Sequence, residues 1–332
     1  MARFFKRKSA APAADETPPT AAPATSPRRR DFSELKPDPD KIGISGSVPF
    51  VRLPDPARLF ADRSARLLEA APGHPMEAYL RFVAEVARAQ AVIQAKGPPA
   101  SLPEASDLAL RSEHGMPPLS RHSLEADRGF DDGLLALLAE LDLTTAPEAS
   151  VAARESLRAA SREDRLDLAL QVFEGALPVD RIAECVFVSA ALQVRLAEQA
   201  ARLDTQTLKP VADGVCPCCG GAPVASVIVA WTPADKARYL SCSLCSTYWN
   251  HVRIRCTACG DGEGVSYYGL DEVSKDVQVE TCTTCHSYIK HLHQHRAPTL
   301  DPVADDIASY GLDLKIAEEG FRRAGLNLLF VI

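Results

Sequence analysis

The chain has 332 residues, is 46% hydrophobic and carries a net charge of −7. That is enough length for two or three domains and enough apolar content for a packed core, but not the balance of a chain built to seek polyanions. No apolar run approaches the roughly 20 residues needed to cross a bilayer, so no membrane span is expected.

Residues 1–45 are rich in Ala, Pro, Thr and Ser with basic ends, and are expected to be a disordered tail. Ser26-Pro27-Arg28-Arg29-Arg30-Asp31-Phe32 faintly resembles a twin-arginine export signal. The segment Ser33-Glu34-Leu35-Lys36-Pro37-Asp38-Pro39-Asp40 follows where such a signal needs an apolar stretch. Export is therefore rejected and a cytoplasmic location expected.

From Pro54 the pattern turns helical. Asp55-Pro56 is a helix start, since the carboxylate can cap orphan amides and proline suits the first turn. Leu59, Phe60, Leu67 and Leu68 are expected on one face, and Pro72-Gly73 ends the helix. Met76, Leu80, Val83 and Ala87 form the stripe of a second amphipathic helix, which Gly97-Pro98-Pro99 stops. The proline-rich stretch 98–122 reads as a connection with one short helix. Further helices are expected at Gly129–Leu141, Ala149–Ser161, Arg162–Glu174 and Val179–Leu203. Residues 46–209 thus read as an all-α domain.

After Pro210 the composition shifts to Gly, Cys, Thr and β-branched or aromatic residues. Strands are expected at Ala225–Trp231, Ala237–Ser241, Val265–Leu270 and Val277–Glu280. Asp301-Pro302 repeats the helix-start pair, with Val303, Ile307 and Leu314 on a closing helix. The apolar stretch Phe321–Ile332 is expected to pack back on the body.

Nine of the ten cysteines fall between Cys216 and Cys285. Eight form Cys-x-x-Cys pairs: Cys216/Cys219, Cys242/Cys245, Cys256/Cys259 and Cys282/Cys285. A shift of 40 residues lays Cys219-Gly220 on Cys259-Gly260 and Cys242–Cys245 on Cys282–Cys285; it also lays Tyr248 on Tyr288 and His251 on His291. This is an internal duplication. A Cys-x-x-Cys turn aims two thiolates at one ion while backbone amides hydrogen-bond to the sulfurs, and two turns complete a tetrahedral site suited to zinc or iron. The glycine after each first pair is expected to supply a left-handed turn.

The repeat favours one ion per unit. Cys216, Cys219, Cys242 and Cys245 would hold the first, and Cys256, Cys259, Cys282 and Cys285 the second. A cross-braced pairing of the first turn with the third is the alternative. The units are read as rubredoxin-like or zinc-ribbon modules over 210–254 and 255–298, with 299–332 as a C-terminal helix and tail.

Cys218 aligns with Ala258 and is read as a bystander, and Cys185 as a buried structural thiol. His286, His291, His293 and His295 are expected on a solvated strand or linker. Residues 212–298 carry seven basic and eight acidic side chains, which disfavours nucleic acid as a partner. No nucleophile–base pair or phosphate loop is present, and a four-sulfur site has no open coordination position. No catalytic residues are assigned and the chain is not expected to be an enzyme.

The ordered set Cys216-Pro217-Cys218-Cys219-Gly220, Arg238–Cys245, Trp249, Cys256–Gly260, Ser266-Tyr267-Tyr268, Glu280–Cys282, Cys285–Tyr288 and Asp301–Asp306 resembles the formate dehydrogenase accessory protein family, FdhE. Leu53-Pro54-Asp55-Pro56, Gly73-His74-Pro75 and Tyr79–Phe82 extend the resemblance to the helical part, from about residue 48 onward. The resemblance implies a helical domain followed by two rubredoxin-like modules, with iron as the associated metal. It also implies a cytoplasmic factor that binds the catalytic subunit of a respiratory formate dehydrogenase before export. A rubredoxin-like electron carrier or redox sensor and a zinc-ribbon nucleic-acid binder are the alternatives.

Overall fold

The computed structural model describes residues 4–6, 48–270 and 274–331. Apart from strand β1 (Phe4–Lys6), the expected 1–45 tail lies outside the described residues.

The helical part contains α1 (Pro56–Ala70), α2 (Glu77–Lys96), α3 (Ala105–Glu113), α4 (Arg121–Ala126), α5 (Gly129–Glu140), α6 (Glu148–Ala159), α7 (Arg162–Phe173) and α8 (Ile182–Ala200). Asp55 caps α1 as expected, its carboxylate accepting from the Ala57 amide at 3.2 Å. Phe60 and Leu67 are buried on α1, but Leu68 faces solvent. The spacing explains this: Phe60, Arg63 and Leu67 follow the three–four helical stripe, and one residue further turns Leu68 about 100° away. Arg63, 1% exposed, takes the intervening buried position. The stretch 98–122 holds α3 and the start of α4, where one short helix was expected.

Helix α8 is buried continuously from Cys185 to Ala197, with α2, α5, α6 and α7 packed around it. A helix apolar on nearly every face is stable only when surrounded in this way. It is the centre of the helical body.

The second half is built on a sheet. Its strands are β2 (Val51–Arg52), β3 (Pro223–Ile228), β4 (Arg238–Cys242), β5 (Tyr248–Asn250), β6 (Val265–Leu270), β7 (Val277–Cys282), β8 (Ser287–Leu292) and β9 (Arg322–Arg323). Among the described residues the order is β1-β6-β7-β8-β3-β4-β5-β2, with β9 added to β8. The duplication is visible in the backbone. Tyr239, Leu240 and Ser241 pair with Asn250, Trp249 and Tyr248. Forty residues on, Val279, Glu280 and Thr281 pair with Lys290, Ile289 and Tyr288 in the same register. The two units are joined where β3 runs parallel to β8, pairing Ser226 with His291 and Val227 with Leu292. One continuous sheet therefore carries both. Strand β5 was not foreseen, because it is three residues long, and β8 was expected only as a solvated strand or linker around its histidines, because it mixes Lys and His with apolar residues.

The closing helix is split into α9 (Ala304–Ala308) and α10 (Tyr310–Glu318), with Ser309 outside helical geometry between them. Val303 and Ile307 are buried, whereas Leu314 is exposed. Leu328, Leu329 and Phe330 pack back as expected, and the Tyr79 hydroxyl donates to the Leu329 carbonyl at 2.7 Å. Buried charges fasten this segment to β8. Lys290 Nζ lies 2.5 Å from Asp313 and 3.3 Å from Asp306, and Arg323 reaches both carboxylates.

Candidate metal centres

Each Cys-x-x-Cys turn is a backbone knuckle. In the first, Gly220 N donates to Cys216 O at 2.9 Å and Cys216 N to Gly221 O at 3.0 Å. The third repeats this with Gly260 N to Cys256 O at 3.0 Å and Cys256 N to Asp261 O at 2.7 Å. Gly220 (φ 75°) and Gly260 (φ 73°) adopt the left-handed backbone that the sequence predicts. The other two knuckles adopt it as well, through Ser246 (φ 57°) and His286 (φ 54°). The turn needs this conformation at all four positions, and only two of them avoid the Cβ strain by using glycine.

The structure gathers the sulfurs sequentially and not in the cross-braced alternative. Cys216, Cys219, Cys242 and Cys245 have all their Sγ atoms within 4.8 Å of one another, and so do Cys256, Cys259, Cys282 and Cys285. The nearest sulfur–sulfur separations are 3.4–3.6 Å in the first set and 3.7 Å in the second. A tetrahedron with metal–sulfur bonds of about 2.3 Å has edges of about 3.8 Å. Both sets therefore suit a four-coordinate metal ion. Backbone amides support the sulfurs: Leu244 N points at Cys242 Sγ and Ala258 N at Cys256 Sγ, each at 3.4 Å.

One thiol in each set, Cys245 and Cys285, is held toward ionisation, whereas burial pushes Cys216 and Cys256 up, and Cys219 and Cys259 also lie above the ordinary thiol range. Burial pushes Cys245 up, but hydrogen bonds from Cys216, Cys218, Cys219 and Cys242 outweigh it and hold the thiol well below its ordinary range. Burial opposes ionisation at Cys285 too, yet hydrogen bonds with Ser287 and Cys259 bring it down to about 7. A thiolate is the form that binds metal.

The two centres differ in cover. The helical part seals the first. Leu119 N donates to the Cys218 carbonyl at 2.9 Å, Gln193 on α8 donates to the Ser243 carbonyl at 2.8 Å, and Arg63 on α1 donates to Ser246 Oγ at 3.4 Å. All four of its cysteines are buried, whereas Cys259 is exposed in the second centre and Cys285 at least partly so.

Arg238 links the modules. It lies on β4, fully buried, and its guanidinium donates to Glu280 Oε1 at 2.7 Å on β7. It also donates to Thr257 Oγ1 inside the third knuckle at 2.9 Å, to the Arg255 carbonyl at 2.8 Å and to Ser226 Oγ at 2.8 Å. The sequence reading missed it, although an arginine and a glutamate inside two buried strands were the available signal.

Cys218 is buried beside the first centre but outside its four-sulfur set. Cys185 is buried on α8, where burial pushes its thiol up to about 11. The histidines are less solvated than expected. His291 is buried on β8, with Nδ1 3.0 Å from Ser226 Oγ, and its ring stacks edge-on against His293, with His293 against His295 at 5.3 Å between centroids. Only His286 of the four is exposed. No helix among the described residues is long and apolar enough to cross a membrane.

A helical body carrying a fused pair of four-sulfur knuckle modules defines the class: an all-α domain joined to two rubredoxin-like metal-binding units. Three family models cover the chain in order: FdhE, N-terminal over residues 48–213; FdhE, central domain over 215–253; and FdhE, C-terminal domain over 254–330. The chain belongs to the FdhE family, whose members are involved in formate dehydrogenase formation. It is 37% identical over 297 residues to the Protein FdhE homolog of Rhizobium meliloti, covering 89% of this chain and 97% of that one. It is 33% identical to Protein FdhE of Escherichia coli K12, covering 87% and 94%. The crystal structure of the FdhE protein from Pseudomonas aeruginosa superposes with a TM-score of 0.76 at 35% identity, covering 85% of this chain and 98% of that one.

Proposed function

We propose that the chain is a cytoplasmic, non-enzymatic factor that binds the catalytic subunit of a respiratory formate dehydrogenase and matures it before export. Cys216, Cys219, Cys242 and Cys245 hold one ion in this reading, and Cys256, Cys259, Cys282 and Cys285 the other, with iron as the metal. The observation that carries it is the pair of closed four-sulfur sites on an FdhE-family frame. Four protein ligands leave no coordination position for a substrate, so the ions support a binding surface and not a reaction centre. A bound ion supplies cross-links to modules with little core of their own. The knuckle amides and Arg238 orient the sulfurs, and the helical body excludes water from the first site. Pull-down of the immature catalytic subunit by the metal-loaded chain tests the reading. Unchanged formate dehydrogenase activity after deletion of the gene would sink it.

A second reading is an electron carrier or redox sensor, favoured by one observation: Cys259 brings an edge of the second centre to solvent. It requires bound iron that cycles reversibly in the visible spectrum. Colourless protein with stoichiometric zinc excludes it.

A further inference from the structure

We propose that the bare knuckle face of the second module, formed by Ala258, Cys259, Thr283, Thr284 and His286, is the surface on which the partner protein docks. Its occupant is a helical or loop surface that presents amide or guanidinium donors. The proposal rests on the maturation reading, under which that partner is the catalytic subunit.

The molecule contains its own template for such an interface. Under the 40-residue shift these positions correspond to Cys218, Cys219, Ser243, Leu244 and Ser246 of the first module. All five of those are buried, and all five of their counterparts are exposed. The first face is covered by protein of the same chain in a defined way. A backbone amide, Leu119 N, meets the Cys218 carbonyl, and a side-chain amide, Gln193 Nε2, meets the Ser243 carbonyl. A guanidinium, Arg63, meets the side chain of Ser246 just after the knuckle. The equivalent acceptors on the second module are the carbonyls of Ala258 and Thr283. Neither has a protein donor among the described residues. A knuckle turns its carbonyls outward because its amides face the sulfurs, so both faces offer the same acceptor pattern.

One difference between the faces indicates a reversible contact. Leu244 sits in the permanently covered knuckle, and Thr284 stands in its place on the open one. Thr284 Oγ1 donates to Asp261 at 2.7 Å and Thr283 Oγ1 to the Gly264 carbonyl at 3.3 Å. The open face is thus satisfied in water when alone, whereas a leucine there would leave apolar surface exposed. Interfaces that form and dissolve are more polar than permanent ones.

The test uses the full metal-loaded chain and the immature catalytic subunit. Ala258→Arg/Thr283→Arg places two long side chains on the face, and Val179→Arg, at a site 87% exposed on the helical part, is the control. Wild type and Val179→Arg are expected to bind alike, and the double variant on the order of 30-fold more weakly, the loss expected for a blocked interface centre. Amide hydrogen exchange of the wild-type complex should slow over residues 256–260 and 282–287. Double-variant binding equal to wild type, or exchange unchanged there, overturns the docking surface and leaves the maturation reading standing. If the double variant loses metal, the wild-type exchange footprint alone decides. Absence of binding by wild type overturns both.

Discussion

Arg238 and Glu280 come from different modules and meet at 2.7 Å with both side chains withdrawn from solvent. A buried ion pair contributes little net stability when whole but is costly to break, because the remaining charge stays buried without compensation. Glu280→Ala is therefore expected to destabilise the chain by about 3–5 kcal/mol, read as a lower urea midpoint. Adding Arg238→Met should recover part of that loss. The same guanidinium holds Thr257 and the Arg255 carbonyl against the third knuckle, so Glu280→Ala should also speed metal release from the second centre. An unfolding free energy within about 1 kcal/mol of wild type would contradict this account.

Cover by the helical body should separate the two centres kinetically. The first is sealed by contacts from Leu119, Gln193 and Arg63, and the second has Cys259 in solvent. A chelator should remove one equivalent of metal quickly and the other slowly. Cys242→Ser should abolish the slow phase and Cys282→Ser the fast one. A single phase for both equivalents in wild type would show that cover does not govern release.

The left-handed residues of the knuckles give opposite expectations on substitution. Gly220→Ala forces a Cβ into φ 75° and should cost about 1–2 kcal/mol. His286, at φ 54°, already carries that strain on an exposed knuckle. His286→Gly relieves it at the expense of greater freedom in the unfolded chain, so it should be neutral or stabilising by up to about 1 kcal/mol. Thermal unfolding of the metal-loaded variants measures both. Equal losses at the two positions would mean that the turn tolerates a side chain in one knuckle and not the other for reasons outside the backbone.

The cysteine sets were legible in the sequence because duplication repeats ligand spacing, and spacing is what a tetrahedral site constrains. Gly220 and Gly260 announced their conformation; Ser246 and His286 did not, since nothing in a serine or histidine marks a positive φ. The helices with three–four apolar stripes were legible too. Arg63 on the buried stripe of α1 was not, because its place there depends on Asp301 and Ser246, more than 180 residues away. Strand β8 was obscured for a similar reason. Its Lys290 and His291 read as solvent-facing until the carboxylates of Asp306 and Asp313 and the hydroxyl of Ser226 arrive from other elements.

Those buried histidines make stability depend on acid. Burial, reinforced by the neighbouring Arg238, lowers His251 to about 4; burial and Arg296 lower His293 to about 4. Burial and Arg238 also hold His291 well below the ordinary range. The folded state therefore favours the neutral rings, whereas the unfolded chain takes up protons below about 6.5. The sign follows from linkage: this contribution is present above pH 6.5 and is lost as pH falls toward 4. Thiolates also protonate in acid and release metal, so pH alone does not isolate the histidines. His293→Gln removes one titrating ring without touching a cysteine. Its urea midpoint should fall less steeply than wild type between pH 6.5 and 4.5, while the pH of half metal release stays the same. Parallel slopes in the two proteins would assign the acid sensitivity to the sulfur sites.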